Sequence, residues 1–177
     1  MTEQEILKIP HERVKTLIGE SGKVKEWIER RCNVTLDIDP EGDVEISGES
    51  TDIFFAKDIV KAIGRGFEPK DAMRLAGSDY NLHIIALRDI THSENEMTRL
   101  KGRVIGSNGK IRLEIESATD SVLCVFGNTI GIISKLDTMP YAREAIAMII
   151  DGAPHESVIH YLAKAKREIY DSRLRGK

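Results

Sequence analysis

The 177-residue chain is 41% hydrophobic and 31% charged, with a net charge of −3 and a pI near 6.0. No apolar run approaches the roughly 20 residues a bilayer-spanning helix needs, and the near-neutral charge excludes a cationic coat for nucleic acid, which requires a large basic excess. Residues 1–76 carry 12 Lys/Arg against 16 Asp/Glu and residues 77–177 carry 14 against 13, so any polyanion contact must be local and is favoured in the second half.

In chain order, Glu5 to Ile9 reads as a short strand stopped by Pro10, followed by a helix on Val14, Leu17 and Ile18. A second helix places Val24, Trp27, Ile28 and Cys32 on one face. Val34, Leu36 and Ile38 alternate with Thr35, Asp37 and Asp39, the period of a half-buried strand, and the Pro40–Asp43 turn leads to a return strand from Val44. Ser50-Thr51-Asp52 offers capping chemistry for a helix on Ile53, Ala56, Val60 and Ile63. A short helix from Pro69 to Ala76 precedes the linker Gly77-Ser78-Asp79, so the domain boundary is expected between residues 77 and 78.

The second half runs through the same series. A strand at Leu82–Leu87 precedes a helix opened by the capping box Ser93/Glu96. A helix follows on Ile111, Ile115 and Ala118, then strands at Val122–Phe126 and Thr129–Ile133. Pro140 opens a further helix from a first-turn position, where its missing N–H is not needed. A basic helix runs from His155 to about Tyr170 and has no counterpart of equal length in the first half. Cys32 and Cys124 form no Cys-x-x-Cys motif and read as reduced thiols. Met1-Thr-Glu-Gln-Glu is neither a basic nor an apolar leader. Both features suit a soluble cytoplasmic protein.

The two halves share one motif. Ile18-Gly19-Glu20-Ser21-Gly22-Lys23 and Ile105-Gly106-Ser107-Asn108-Gly109-Lys110 lie 87 residues apart, glycine for glycine. A repeat of this length signals two similar small domains in series. A Gly-x-x-Gly turn feeding a helix presents backbone N–H donors and the positive end of a helix dipole to an anion such as a phosphate. Lys15, Lys23 and Lys25 flank the first loop, and Lys101, Arg103, Lys110 and Arg112 the second. Glu20 opposes a phosphate, so the second loop is the stronger candidate.

Other chemistries fail on spacing. A P-loop needs a glycine where Leu17 and Val104 stand and a hydroxyl where Val24 and Ile111 stand. The dinucleotide fingerprint lacks its first glycine in both loops. The five histidines show no metal-ligand spacing, Asp37 and Asp39 read as a solvated strand face, and Ser21 and Ser107 lack a nucleophile elbow. No catalytic residue, metal site or cofactor is expected.

Strand, helix, Ile-Gly-x-x-Gly, helix, strand, strand, helix is the order of the type I KH domain, and the chain resembles it twice over. The resemblance implies an α+β fold of two KH domains (βααββα), residues 1–77 and 78–177. Each would be a three-stranded sheet against three helices, with an extra C-terminal helix. It also implies a clamp for about four single-stranded nucleotides at each loop. The RNA-binding residues would be Gly106, Ser107, Asn108, Gly109, Lys110, Lys101, Arg103, Ile105 and Arg112, with Gly19, Glu20, Ser21, Gly22, Lys23 and Lys25 in the first domain. Groove candidates are Val14, Ile18, Val34 and Leu36, then Val104, Ile105, Val122 and Cys124.

Gly64–Ala72, Gly102–Lys110 and the helix after Pro154 further resemble the archaeal KH proteins of small-subunit rRNA processing, whose eukaryotic relatives partner the rRNA 3′-end endonuclease. That resemblance implies a non-enzymatic binder of small-subunit rRNA or its precursor, with ribosome-assembly or translation-factor proteins as further partners. The alternative is a protein-interaction scaffold in which one KH unit alone binds RNA.

Overall fold

A computed structural model describes residues 1–176. The chain divides between Leu82 and His83 into two compact units, each an α+β assembly around one antiparallel sheet.

The first unit runs β1 (Glu3–Lys8), α1 (Val14–Ile18), α2 (Lys23–Cys32), β2 (Thr35–Ile38), β3 (Asp43–Gly48), α3 (Ser50–Gly64) and the short α4 (Pro69–Ala72). The sheet order is β1-β3-β2, with Leu36 opposite Ile46 and Ile6 opposite Glu45. Period 2 sends Leu36, Val44 and Ile46 to one face, where they are buried with Leu17, Ile28 and Ile59 from the helices. The other face carries Ile6, Thr35, Asp37 and Glu45, with Ile6 70% exposed.

From β4 (Tyr80–Ala86), the strand within which the chain divides, the second unit runs on through α5 (Glu94–Ile105), α6 (Lys110–Thr119), β5 (Val122–Phe126), β6 (Thr129–Lys135), α7 (Met139–Ile150) and α8 (His155–Arg175). Its sheet order, β4-β6-β5, repeats the first. Leu123, Ile130 and Ile132 meet Leu100, Val104 and Ile115 in the core. The repeat extends to helix endings. α2 and α6 stop at left-handed residues 87 positions apart, Asn33 (φ 56°) and Asp120 (φ 50°). Both are short polar types that tolerate this conformation.

α8 extends to Arg175, five residues beyond its expected end. Val158, Leu162, Ala165 and Ile169 recur at helical spacing and are buried where α8 packs on α6 and α7. Arg173 ties its far end down, 3.3 Å from Asp137 and 3.9 Å from Asp120.

Three local expectations change. Trp27 is 44% exposed rather than part of the α2 core face, which is built on Ile28 and Cys32. The N-cap of α3 is Glu49 with no side-chain cap bond, and Asp52 instead accepts from Asn33 at 3.2 Å. Ser93 does cap α5, accepting from the Glu96 N–H at 3.2 Å. The reciprocal half of the box is not made, because the Glu96 carboxylate pairs with the Arg99 fork one turn on.

Candidate nucleic-acid interface

Each Gly-x-x-Gly loop is a single tight turn between two helices, and the two are conformationally the same. Gly19 and Gly106 adopt φ 76°, ψ 174° and φ 74°, ψ 174°. Ser21 and Asn108 stand at φ 53° and 55°, and Gly22 and Gly109 at φ 76° and 72°. A bond of 3.2 Å from the second glycine N–H to the first glycine carbonyl closes each turn.

The two glycines of a pair do different work. A Cβ on Gly106 would lie 2.6 Å from Ile111 Cγ2 and 3.0 Å from its nitrogen, and one on Gly19 would strike Val24. The first glycine lets the following helix pack close. A Cβ on Gly22 or Gly109 would meet nothing within 4 Å. The second glycine therefore leaves open surface, where a ligand backbone can come close.

Beside the second loop lies a cleft of about 200 Å³ lined by Gly106, Ser107, Lys110, Ile111, His155 and Ile159. Ser107, Asn108 and Lys110 are exposed, and the Lys110 ammonium has no ion-pair partner among the described residues. At the first loop Glu20, Ser21 and Lys23 are exposed, and Lys25 is half-buried.

The basic candidates beside the second loop other than Lys110 are engaged within the fold. Arg103 is expected at the phosphate surface, but its guanidinium donates to the carbonyls of Ile149 (2.6 Å) and Ala153, closing the C-terminal end of α7. Arg13 does the same for α3, donating to Ile63 and Phe67 at 2.8 Å. Orphan carbonyls at a helix end need donors, and arginine supplies two at once. Lys101 Nζ donates to Gly127 O (3.0 Å) and Asn128 Oδ1 (3.3 Å), holding the β5–β6 turn. Arg112 lies 3.9 Å from Glu116, with its Nε buried and without a hydrogen bond.

The apolar groove is corrected in register. Leu36 and Leu123 are equivalent by the 87-residue offset, and both are core residues, 1% and 3% exposed. Val14, Val34 and Val104 are buried too. The accessible members are Ile18, Ile105, Val122 and Cys124. The outward positions of β2 that match Val122 and Cys124 are Thr35 and Asp37, so the first unit presents a polar, acidic edge where the second is apolar.

One repeated pair escaped the sequence reading. Glu29 Oε1 accepts from the Leu36 N–H at 2.8 Å, and Glu116 Oε1 accepts from the Leu123 N–H at 2.9 Å. Each carboxylate pins the edge strand to the helix that follows the loop, which fixes the width between them. Their identical 87-residue spacing was the available signal. Glu116→Ala leaves that N–H without its acceptor and should cost roughly 1–3 kcal/mol of stability in urea unfolding, while Glu116→Gln, which keeps an oxygen there, should cost less.

A larger cleft, about 570 Å³, lies elsewhere in the second unit between β4 and α7, lined by residues including His83, Ile85, Arg143 and Glu144. Burial pushes the His83 imidazole below its ordinary pKa, with Arg143 adding to the effect. Among the described residues no three His, Cys, Asp or Glu side chains are grouped to hold a metal ion, and no helix is long and apolar enough to cross a membrane.

Comparison with known proteins follows the same two units. Residues 3–62 match the family model of the KH domain, and residues 81–167 match that of the eukaryotic type KH-domain (KH-domain type I). A KH domain-containing protein of Methanocaldococcus jannaschii is 42% identical over 175 residues, 96% of this chain and 77% of that protein. The pre-rRNA-processing protein pno1 of Aspergillus fumigatus is 32% identical over 111 residues, 61% of this chain but 44% of its own length. Among solved structures, the a/eIF2alpha-aDim2p-rRNA complex of Pyrococcus horikoshii contains a chain 37% identical to this one. It superposes with a TM-score of 0.88 over 95% of this chain and 96% of that one. A protein of unknown function from Aeropyrum pernix superposes at 0.91 with 32% identity, over 99% and 97% of the two chains.

Proposed function

Both halves of this chain belong to the KH-domain family, and from that premise we propose that it binds single-stranded RNA of the small ribosomal subunit or its precursor through the Gly106–Gly109 loop. RNA binding in rRNA processing and ribosome assembly is the activity that its KH domains and its relatives in pre-rRNA processing support. The carrying observation is local: an open second glycine, exposed Ser107 and Asn108, and a Lys110 that has no ion-pair partner among the described residues and lines a cleft together with Ser107.

A phosphate of the strand sits against the opening turn of α6, where backbone donors and the helix dipole favour it. Lys110 adds a salt-sensitive contact. Ile105, Val122 and Cys124 face bases, and base-edge contacts there set sequence preference. Lys101, Arg103 and Arg112 act at one remove, by holding the walls. The second domain is taken as residues 78–177, because β4 begins at Tyr80 and joins β6.

The first loop has the same backbone, but Glu20 and the acidic outward edge of β2 repel a polyanion. We assign residues 1–77 to supporting or protein contacts, with Gly19, Ser21, Gly22, Lys23 and Lys25 as the secondary RNA surface. The Pyrococcus relative stands in a complex with both rRNA and a/eIF2alpha, which supports a translation factor or assembly protein as a further partner. The role is binding rather than catalysis, in the cytoplasm.

Fluorescence anisotropy with a labelled RNA from the 3′ end of small-subunit rRNA tests this. Affinity should fall as salt rises, with a log–log slope of about −0.7 per phosphate engaged, and the DNA strand of the same sequence should bind more weakly for want of 2′-OH contacts. RNA and DNA binding alike would overturn RNA selectivity, and no binding at low salt would overturn the reading.

A further inference from the structure

The clamp cleft does not end at the loop. Ile159 lines both the clamp cleft and a second one of about 170 Å³, walled by Glu114, Ser117, Ala118, Leu162 and Lys166 on the α6–α8 seam. Lys166 in turn lines a third, of about 370 Å³, with Arg167, Tyr170 and Asp171. The three are strung along one side of α8, where residues 155, 159, 163, 166 and 170 recur at helical spacing. From 155 to 170 the helix rises about 22 Å, enough for several nucleotides.

Resting on the RNA-binding reading above, we propose that the α6–α8 seam is an extension of the RNA site, carrying nucleotides that flank the clamped segment. The chemistry along it suits a strand rather than a protein. Lys166 and Arg167 are exposed and have no ion-pair partner among the described residues, unlike Lys164 and Arg173, which pair with acids. They stand at the far end from Lys110, so cations mark both ends of the path. Between them Ile159 and Ala163 offer an apolar floor. Glu114 and Ser117 present hydrogen-bonding groups suited to base edges, since the carboxylate disfavours a phosphate there. Tyr170, 65% exposed, supplies a ring on which a base can stack. In the first unit the segment after α3 forms only the short α4, four residues against the 21 of α8, so the extension belongs to the second clamp alone.

The test compares RNAs of about four and about twelve nucleotides that share the preferred core, on the full chain and on two variants. The unaltered chain should bind the long RNA about tenfold tighter, because more phosphates and bases are engaged. Lys166→Glu with Arg167→Glu, both on the exposed side of α8, should bring the long RNA down to the affinity of the short one and leave the short one unchanged. The salt slope for the long RNA should also become shallower by about 1.4, the loss of two single-strand phosphate contacts. Equal loss for both lengths, or no loss for either, overturns the extension. The Ser107→Asp, Asn108→Asp chain separates the two ideas, since it should lose both RNAs. If it loses neither, the clamp reading itself has failed.

Discussion

With Ser107 and Asn108 both replaced by aspartate, the chain should lose single-stranded RNA binding by at least thirtyfold and unfold at an unchanged denaturant midpoint. Both side chains are exposed, so the substitution removes no packing. Asn108 stands at φ 55°, a conformation that aspartate accepts about as well as asparagine. Carboxylates at the start of α6 also agree with its dipole, so the helix is not weakened. The phosphate then meets two like charges. Each such pair at about 4 Å costs roughly 1 kcal/mol in bulk water and about 4 kcal/mol at a protein surface, so even the lower figure, doubled, gives about thirtyfold. Anisotropy titration alongside urea unfolding reads both quantities. RNA affinity that survives intact would remove the loop from the binding site.

Gly106→Ala should destabilise the second unit by about 3 kcal/mol or more and abolish RNA binding with it. At φ 74°, ψ 174° the position lies in a region open essentially to glycine alone, where other residues pay roughly 1–3 kcal/mol. The new methyl would also sit 2.6 Å from Ile111 Cγ2 and 3.0 Å from the Ile111 nitrogen. The backbone cannot yield without shifting the start of α6, which is the clamp itself. Gly109→Ala is the contrast. Its φ of 72° is left-handed but its surroundings are empty, so roughly 1–2 kcal/mol is the expected stability cost. RNA affinity should fall further than that strain accounts for, because the methyl occupies the ligand's approach. Guanidinium unfolding should therefore separate the two variants while RNA titration finds both impaired: Gly106→Ala as a folding lesion that takes binding with it, Gly109→Ala as a binding lesion out of proportion to its small stability cost.

The fold was legible because period and punctuation agreed twice. Alternation at Val34–Ile38, helical spacing at Ile53–Ile63 and the glycine pairs gave the element order of the first unit, and the 87-residue offset carried it to the second. The site was legible at the loops and blurred around them. Val122–Phe126 is apolar throughout, so its inward phase cannot be read from hydropathy, whereas the offset from Leu36 points to Leu123. Arg103 looked like a phosphate ligand because a cation beside a glycine loop invites that role. Its actual acceptors, carbonyls 46 and 50 residues on, leave no side-chain pattern. Glu29 and Glu116 left only their shared 87-residue offset as a signal, because each bonds a main-chain N–H, which every residue type offers. Arg13 and Arg103 make the same closure from positions 90 residues apart while their acceptors lie 86 apart. The contact is kept although its origin has slid by about one helical turn.

The staple at Arg173 has a kinetic corollary. Because α8 is fastened near its C-terminal end to Asp120 and Asp137, and along its length by its apolar stripe, the groove beside it is already shaped before any strand arrives. An RNA strand taken up there as proposed should require no coupled ordering of the protein, and encounter should be fast and governed by long-range attraction rather than by refolding. Cutting that staple with Arg173→Ala would loosen one bank of the channel, and the penalty should surface as a shorter residence time for long strands.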